Sequence, residues 1–233
     1  IPRNFHGLLV NQKASYAFTS PPLFDLGNVK ANKRVTEVLG DEYTKNCTEL
    51  CVNAANCSVG WVHYWDNGNG FEWAVVDSKQ IVPIFDGNLK RSLIGVLRVY
   101  NTVDDDTGDY YVVYEFWTTE ECLAFRRRIA DTVDKGLMYY DMFFDPIYGE
   151  PIWWYRHDFE EVPFIPFWNN NIRTNDLKSI KPLIDVYDKV FSGFINDLDD
   201  VQELIFVLSG YGGTDLNTFL SDLKKYKTIK VDA

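Results

Sequence analysis

The chain has 233 residues, 46% of them hydrophobic, which suffices for a core in one large domain or two small ones. Its 34 acidic residues against 23 basic ones leave a net charge of −11. That balance excludes a broad counterion-releasing grip on nucleic acid unless a basic patch is segregated, and no stretch reaches the roughly 20 apolar residues of a membrane span.

The first element in chain order is a helix over 3–18, RNFHGLLVNQKASYAF. Pro2 suits its first turn, and Leu8, Leu9, Gln12, Ser15 and Tyr16 fall at helical spacing. Ile1-Pro2-Arg3-Asn4 has neither the basic start nor the apolar core of a signal peptide, and the absent methionine and the close on Val231-Asp232-Ala233 read as a piece cut from a longer protein. Pro21-Pro22 ends the first helix, and a second helical stretch covers about 31–57, split at Gly40-Asp41. Its expected buried stripe is Val35, Val38, Leu39, Tyr43, Leu50, Cys51 and Ala54. Cys47, Cys51, Cys57 and Cys122 lack the paired C-x2-C knuckles of a zinc site, and His6, His63 and His157 are scattered. The cysteines read as reduced, buried thiols of an intracellular protein.

The period then changes. SVGWVHYW (58–65), DNGNG and FEWAVVD (71–77) give a hairpin signal, because Asn-Gly supplies positive φ cheaply. Strands follow over 95–102, 109–118, 121–129, 136–144 and 150–158, separated by turns such as DDDTGD (104–109) and DPIYG (145–149). Tyr110, Val112, Tyr114 and Phe116 share one face, and the run reads as an antiparallel meander. From about Ser179 the chain is helical again, with Pro182 in the first turn. Ile184, Tyr187, Phe191, Phe194, Leu198 and Val201 step by 3 and 4, the spacing of a seam packed against another helix. The other faces carry Asp185, Asp188, Asp197, Asp199, Asp200 and Glu203 against a single Lys189. Thr214 or Asp215 caps a last helix, LNTFLSDLKKYK, which carries Lys224, Lys225 and Lys227. The predicted fold class is therefore α+β: N-terminal helices, an antiparallel meander, then a long helix.

Little of this carries chemistry. GYGGTD (210–215) lacks the Gly-Lys-Ser/Thr ending of a phosphate loop and reads as a C-cap followed by an N-cap. Glu120-Glu121 and Glu160-Glu161 are adjacent on the chain, so each pair faces opposite ways on a strand and is not preset for glycoside hydrolysis. Trp153 and Trp154 likewise point to opposite faces. Aromatic residues make up 16% of the chain, which keeps open an aromatic-faced carbohydrate-binding or glycoside-hydrolase-like β-rich protein. An acidic helix face is ordinarily solvated surface; the apolar seam beside it favours a ring or bundle of like helices.

The segment NDLKSIKPLIDVYDKVFSGFINDLDDVQELIFVLSGYGGTDLNTFLSDLKKYKTIKVD (175–232) resembles the signature region of portal proteins from tailed double-stranded DNA phages of the siphophage type. Looser matches follow in order at IPRNFHGLLVNQKASYAF (1–18), IVPIFDGNL (81–89) and VPFIPFWNN (162–170). The resemblance implies a wing over 1–175, a stem helix over 176–203 and the start of an α/β clip over 204–233. It implies a non-catalytic structural protein without cofactor or metal, made in the host bacterial cytoplasm and built into the virion at the capsid portal vertex. Its implied partners are itself, in a ring of about twelve, terminase, head–tail adaptors, scaffold or capsid proteins, and DNA passing through without sequence-specific binding. No membrane is implied, and the second stem helix and crown would follow residue 233. In this frame Asp188, Asp197, Asp199, Asp200 or Glu203 faces the channel or a neighbouring subunit, and Lys224, Lys225 and Lys227 face a clip partner. Two positions depart from the family pattern. Gly193 stands where an acidic residue is usual, at about 1 kcal/mol of helix propensity, and Ile195 takes an alanine-like place beside the seam.

Overall fold

A computed structural model describes residues 4–20, 22–68, 70–202, 215, 217–218 and 220–221, the side chains at 200–202 excepted. The chain divides into two compact units, residues 2–182 and residues 183–233 together with residue 1.

In the first unit, helix α1 (Phe5–Ala17) is capped by Asn4, whose side chain accepts the Gly7 N–H, and the expected start at 3 with Pro2 lies outside the described residues. Its buried residues are Val10 and Ala14, while Leu8, Leu9 and Tyr16 of the expected stripe are exposed. The reason is packing on α3 through a narrow i, i+4 line of small side chains. Helix α2 (Val29–Leu39) is capped by Asn28 and ends at Gly40, whose φ of 77° is the left-handed geometry that glycine adopts without penalty. No α2 residue is buried, and Val38 lies open to solvent. Helix α3 (Tyr43–Cys57) buries Leu50, Ala54 and Ala55. Of the four free cysteines only Cys122 is buried; Cys47, Cys51 and Cys57 are half-buried because α3 turns one flank to solvent.

The β region is two main sheets and a hairpin, where one meander was expected. The first sheet has the order β11 (Phe164–Trp168), β1 (Val59–Asp66), β2 (Phe71–Val76). The second runs β10 (Trp154–Arg156), β6 (Glu121–Arg128), β5 (Tyr110–Trp117), β4 (Leu93–Val103), β3 (Ile81–Phe85), with β7 (Met138–Tyr139) farther along β6. All pairings are antiparallel. The expected strand over 136–144 is broken: helix α4 (Val133–Gly136) closes at Gly136, and β8 (Phe143–Phe144) pairs instead with β9 (Pro151–Ile152). The β3 and β11 segments also proved to be strands, and their Pro83 and Pro166 sit in edge strands, where a missing N–H is tolerated.

Trp61, Val76, Ile81, Val96, Trp117, Cys122, Val162 and Phe164 form one core, drawn from both sheets. Helix α3 covers β1, and Gly60 permits the approach: a Cβ there would lie 2.6 Å from the Leu50 carbonyl oxygen. In β5 the face shared by Tyr110, Val112, Tyr114 and Phe116 is the outer one; Tyr111, Val113, Glu115 and Trp117 point into the core. Helix α5 (Leu177–Gln202) starts two residues before Ser179, with the Asn175 side chain accepting the Lys178 N–H. Pro182 is thus one and a half turns in, beyond the first turn, and its missing N–H leaves the Lys178 carbonyl without an i+4 partner.

Candidate functional site

Three places in the molecule concentrate polar or unpartnered groups. The first is α5 itself. Its 26 residues span about 39 Å at 1.5 Å per residue. Tyr187 and Phe191 stack one turn apart, with ring centroids at 6.1 Å. Among the described residues the seam is unevenly buried: Phe194 is 58% exposed and Tyr187 and Leu198 are open, while Ile184 and Phe191 are half-buried. A second line, Leu183, Val186 and Val190, is more exposed still, so the apolar arc is wider than the seam alone. Gly193 meets nothing within 4 Å where a Cβ would be.

The acidic candidates do not share a face. With about 100° of turn per residue measured from Ile184, Asp188 falls near 40° and Asp199 near 60°. Backbone position 200 falls near 160° and Asp197 near 220°, between the lines of Val186 and Val190. Asp188 and Asp197 thus lie on opposite sides of the helix. Val201 is in the helix with its side chain outside the described set, and Glu203, Lys224, Lys225, Lys227 and Tyr211–Thr214 lie outside the described residues.

The second place is the approach to α5. Lys13 of α1 donates to Asn169 and to Asp176, each at 2.8 Å, and Asn169 donates to the other Asp176 oxygen at 2.7 Å. The Asp176 N–H reaches the Ala55 carbonyl, so α1, α3 and the segment leading into α5 are joined at one residue. Burial pushes the Asp176 carboxyl up, but the hydrogen bonds from Lys13 and Asn169 and the Lys13 charge outweigh it and hold it below the usual range.

The third is a cavity of about 450 Å³ lined from both sheets. At its base Glu115, 2% exposed, receives Arg98 Nη1 on both oxygens at 3.2 and 3.3 Å and the Trp117 indole N–H at 3.0 Å. Arg98 also donates to Gln80 and lies 4.4 Å over the Tyr100 ring. His63 Nδ1 is 2.8 Å from the Pro163 carbonyl, which can only accept, so Nδ1 carries the proton. Burial pushes the His63 imidazole down to about 4, against the opposing pull of the Pro163 bond and the Glu115 charge. The sequence did signal Glu115, as a lone charge in the row Tyr111, Val113, Trp117, but only once that row is recognised as the inner face.

Among the described residues no group of three or more His, Cys, Asp or Glu side chains is placed to hold a metal ion, and no helix is long and apolar enough to cross a membrane.

Comparison with known proteins concerns the entire chain. The family described as "Phage portal protein, SPP1 Gp6-like" matches residues 1–233. The portal protein of Clostridium phage phiCD119 is 39% identical over 248 aligned positions, covering 100% of this chain and 52% of that protein. The portal protein of Bacillus phage SPP1 is 26% identical, covering 97% of this chain and 44% of its own length. The chain thus spans about half the length of these relatives, and neither favours the carbohydrate-binding alternative. The chain belongs to the SPP1 Gp6-like family of phage portal proteins.

Proposed function

We propose that this chain is the wing, stem helix and beginning of the clip of a portal ring, the DNA conduit of a phage capsid vertex. The observation that supports the reading is the exposed apolar arc of α5, where Val186, Val190 and Phe194 lie open to solvent. A long helix with such an arc gains its burial from like helices, and closed cyclic assembly provides them on both flanks. The protein is a structural one on this reading, and the ATP-driven motor belongs to a terminase docked below it. Head–tail adaptors would replace terminase after packaging, with Lys224, Lys225 and Lys227 among the contacts. A carboxylate-lined wall suits a conduit, because cationic side chains would trap each passing phosphate by releasing its counterions.

The helix geometry supports a division of the acidic residues by role. Asp199, exposed, and Asp188, half-buried, share one line, which this reading turns to the channel; Asp197 lies inside the apolar arc and suits a contact between subunits. Negative-stain imaging and light scattering of the full-length protein test the assembly: rings of about twelve subunits are expected, and a monodisperse small monomer refutes it. In packaging assays with the full-length protein, Asp188→Lys with Asp199→Lys should slow DNA entry with ring formation intact, while Asp197→Lys should impair ring formation itself.

A further inference from the structure

The cavity lined from both sheets has a specific chemistry. Its charged lining is three carboxylates, Asp66, Asp77 and Glu115, against one guanidinium, Arg98. Arg98 is committed to Glu115, Gln80 and the Tyr100 ring, so it neutralises Glu115, while Asp66 and Asp77, both solvent-exposed, have no ion pair among the described residues. Each of these two uses Oδ1 to accept a backbone N–H, from Gly68 and Lys79 respectively, which leaves Oδ2 available. The walls are the aromatic rings of Trp65, Trp117, Phe143 and Tyr155.

His63 supplies an independent pointer. Its side chain is 8% exposed and lies against Trp65, Trp117 and Phe164 at centroid distances of 5.4, 4.6 and 4.4 Å. With Nδ1–H given to the Pro163 carbonyl, Nε2 presents a bare lone pair at the cavity lining, without a hydrogen-bond partner among the described residues. The imidazole stays neutral at pH 7, because burial pushes it down to about 4.

An anion would meet the uncompensated carboxylates, and a purely apolar guest would leave the lone pair and the carboxylate oxygens unanswered. A cation that donates N–H and carries a short alkyl stem answers all three parts, the aromatic walls included. We propose that this cavity is a binding site for an alkylammonium group, carried either by a free amine or by the lysine side chain of another polypeptide.

Butylammonium is the probe, titrated into the full-length protein with the quenching of tryptophan fluorescence as readout. Saturable quenching is expected with butylammonium and not with butanol or butyrate. Trp65→Leu should weaken it about fivefold by removing a cation–π wall. Asp66→Asn with Asp77→Asn should weaken it comparably while keeping the Oδ1 acceptors of both turns, so that variant serves if Trp65→Leu fails to fold. The source of the ammonium is read from carbodiimide coupling of the assembled protein. An isopeptide link from Asp66 or Asp77 to a lysine assigns it to a polypeptide, and butylammonium binding without such a link assigns it to a free amine. Butanol binding as well as butylammonium, affinity unchanged in both variants, or neither binding nor a link overturns the proposal.

Discussion

Acid should weaken the first unit through His63, and the size of the effect follows from where the ring sits. The imidazole is 8% exposed and packed among three aromatic rings, so its charged form is disfavoured in the folded chain, with a pKa near 4 against 6.5 when unfolded. Above pH 6.5 both states hold it neutral and it contributes nothing to pH dependence. As pH falls from 6.5 to 4 the unfolded chain takes up a proton that the folded chain does not, and stability falls with it. At 1.36 kcal/mol per unit, the loss is about 3 kcal/mol by pH 4, most of it already present at pH 4.5. His157 titrates in the same sense, since burial pushes it down, and its Nδ1 is buried without a hydrogen-bond partner. The assay is urea unfolding at pH 7 and pH 4.5, comparing the native sequence with His63→Phe. The variant keeps an aromatic ring but strands the Pro163 carbonyl, so it should start about 1–3 kcal/mol lower at pH 7 and then lose less on acidification. If both proteins lose the same free energy between the two pH values, His63 is not the group that titrates and the argument fails.

Gly60→Ala should destabilise by about 1–3 kcal/mol, because the new methyl meets the Leu50 backbone oxygen at 2.6 Å; an unchanged melting temperature would show that α3 can shift off β1 freely. Glu115→Ala should cost about 2 kcal/mol in chemical denaturation, since it leaves the partly buried Arg98 guanidinium and the Trp117 N–H without their acceptor. An Arg98→Leu, Glu115→Leu double variant should recover most of that loss, and failure to recover would mean the pair does more than neutralise itself. Gly193→Ala should stabilise α5 by about 1 kcal/mol, as no atom lies within 4 Å of the added carbon. If that variant instead prevents assembly of the full-length protein, a neighbouring chain approaches α5 at this glycine.

The elements that were legible in the sequence are those whose period is local. The β1–β2 hairpin, strands β4, β5 and β6 and the long helix follow from alternation, turn residues and the 3–4 spacing, and the structure has them within a few residues. What was not legible depends on partners distant in the chain. Nothing near Val59 says that β1 pairs with β11 more than a hundred residues later, and that pairing divides the expected meander into two sheets. The inner face of β5 was obscured for a related reason: Tyr110, Val112, Tyr114 and Phe116 are as apolar as the row that is buried. Only the Arg98–Glu115 pair across β4 and β5 explains why a row containing a charge faces inward. The α1 stripe shows the same ambiguity, since the helix buries Val10 and Ala14 and leaves its larger leucines outside.

The acidity of α5 resolves into two physical situations once the helix is laid out. A carboxylate on a solvated wall needs no partner, and the exposed Asp199 meets that condition; Asp188, nearly in line with it three turns earlier, is half-buried. A carboxylate inside an apolar arc is different, because covering Val186 and Val190 with a neighbour also removes water from Asp197 between them. Desolvating that charge costs several kcal/mol unless the neighbour presents a cation or N–H donors. On the proposed ring, Asp197 would therefore constrain what packs against α5 more tightly than any apolar residue beside it, since Val186 and Val190 accept any apolar surface. The net charge of −11 thus does not act as one field along this helix: on the proposed ring the Asp199 line would suit a path for phosphates, and Asp197 would select a partner.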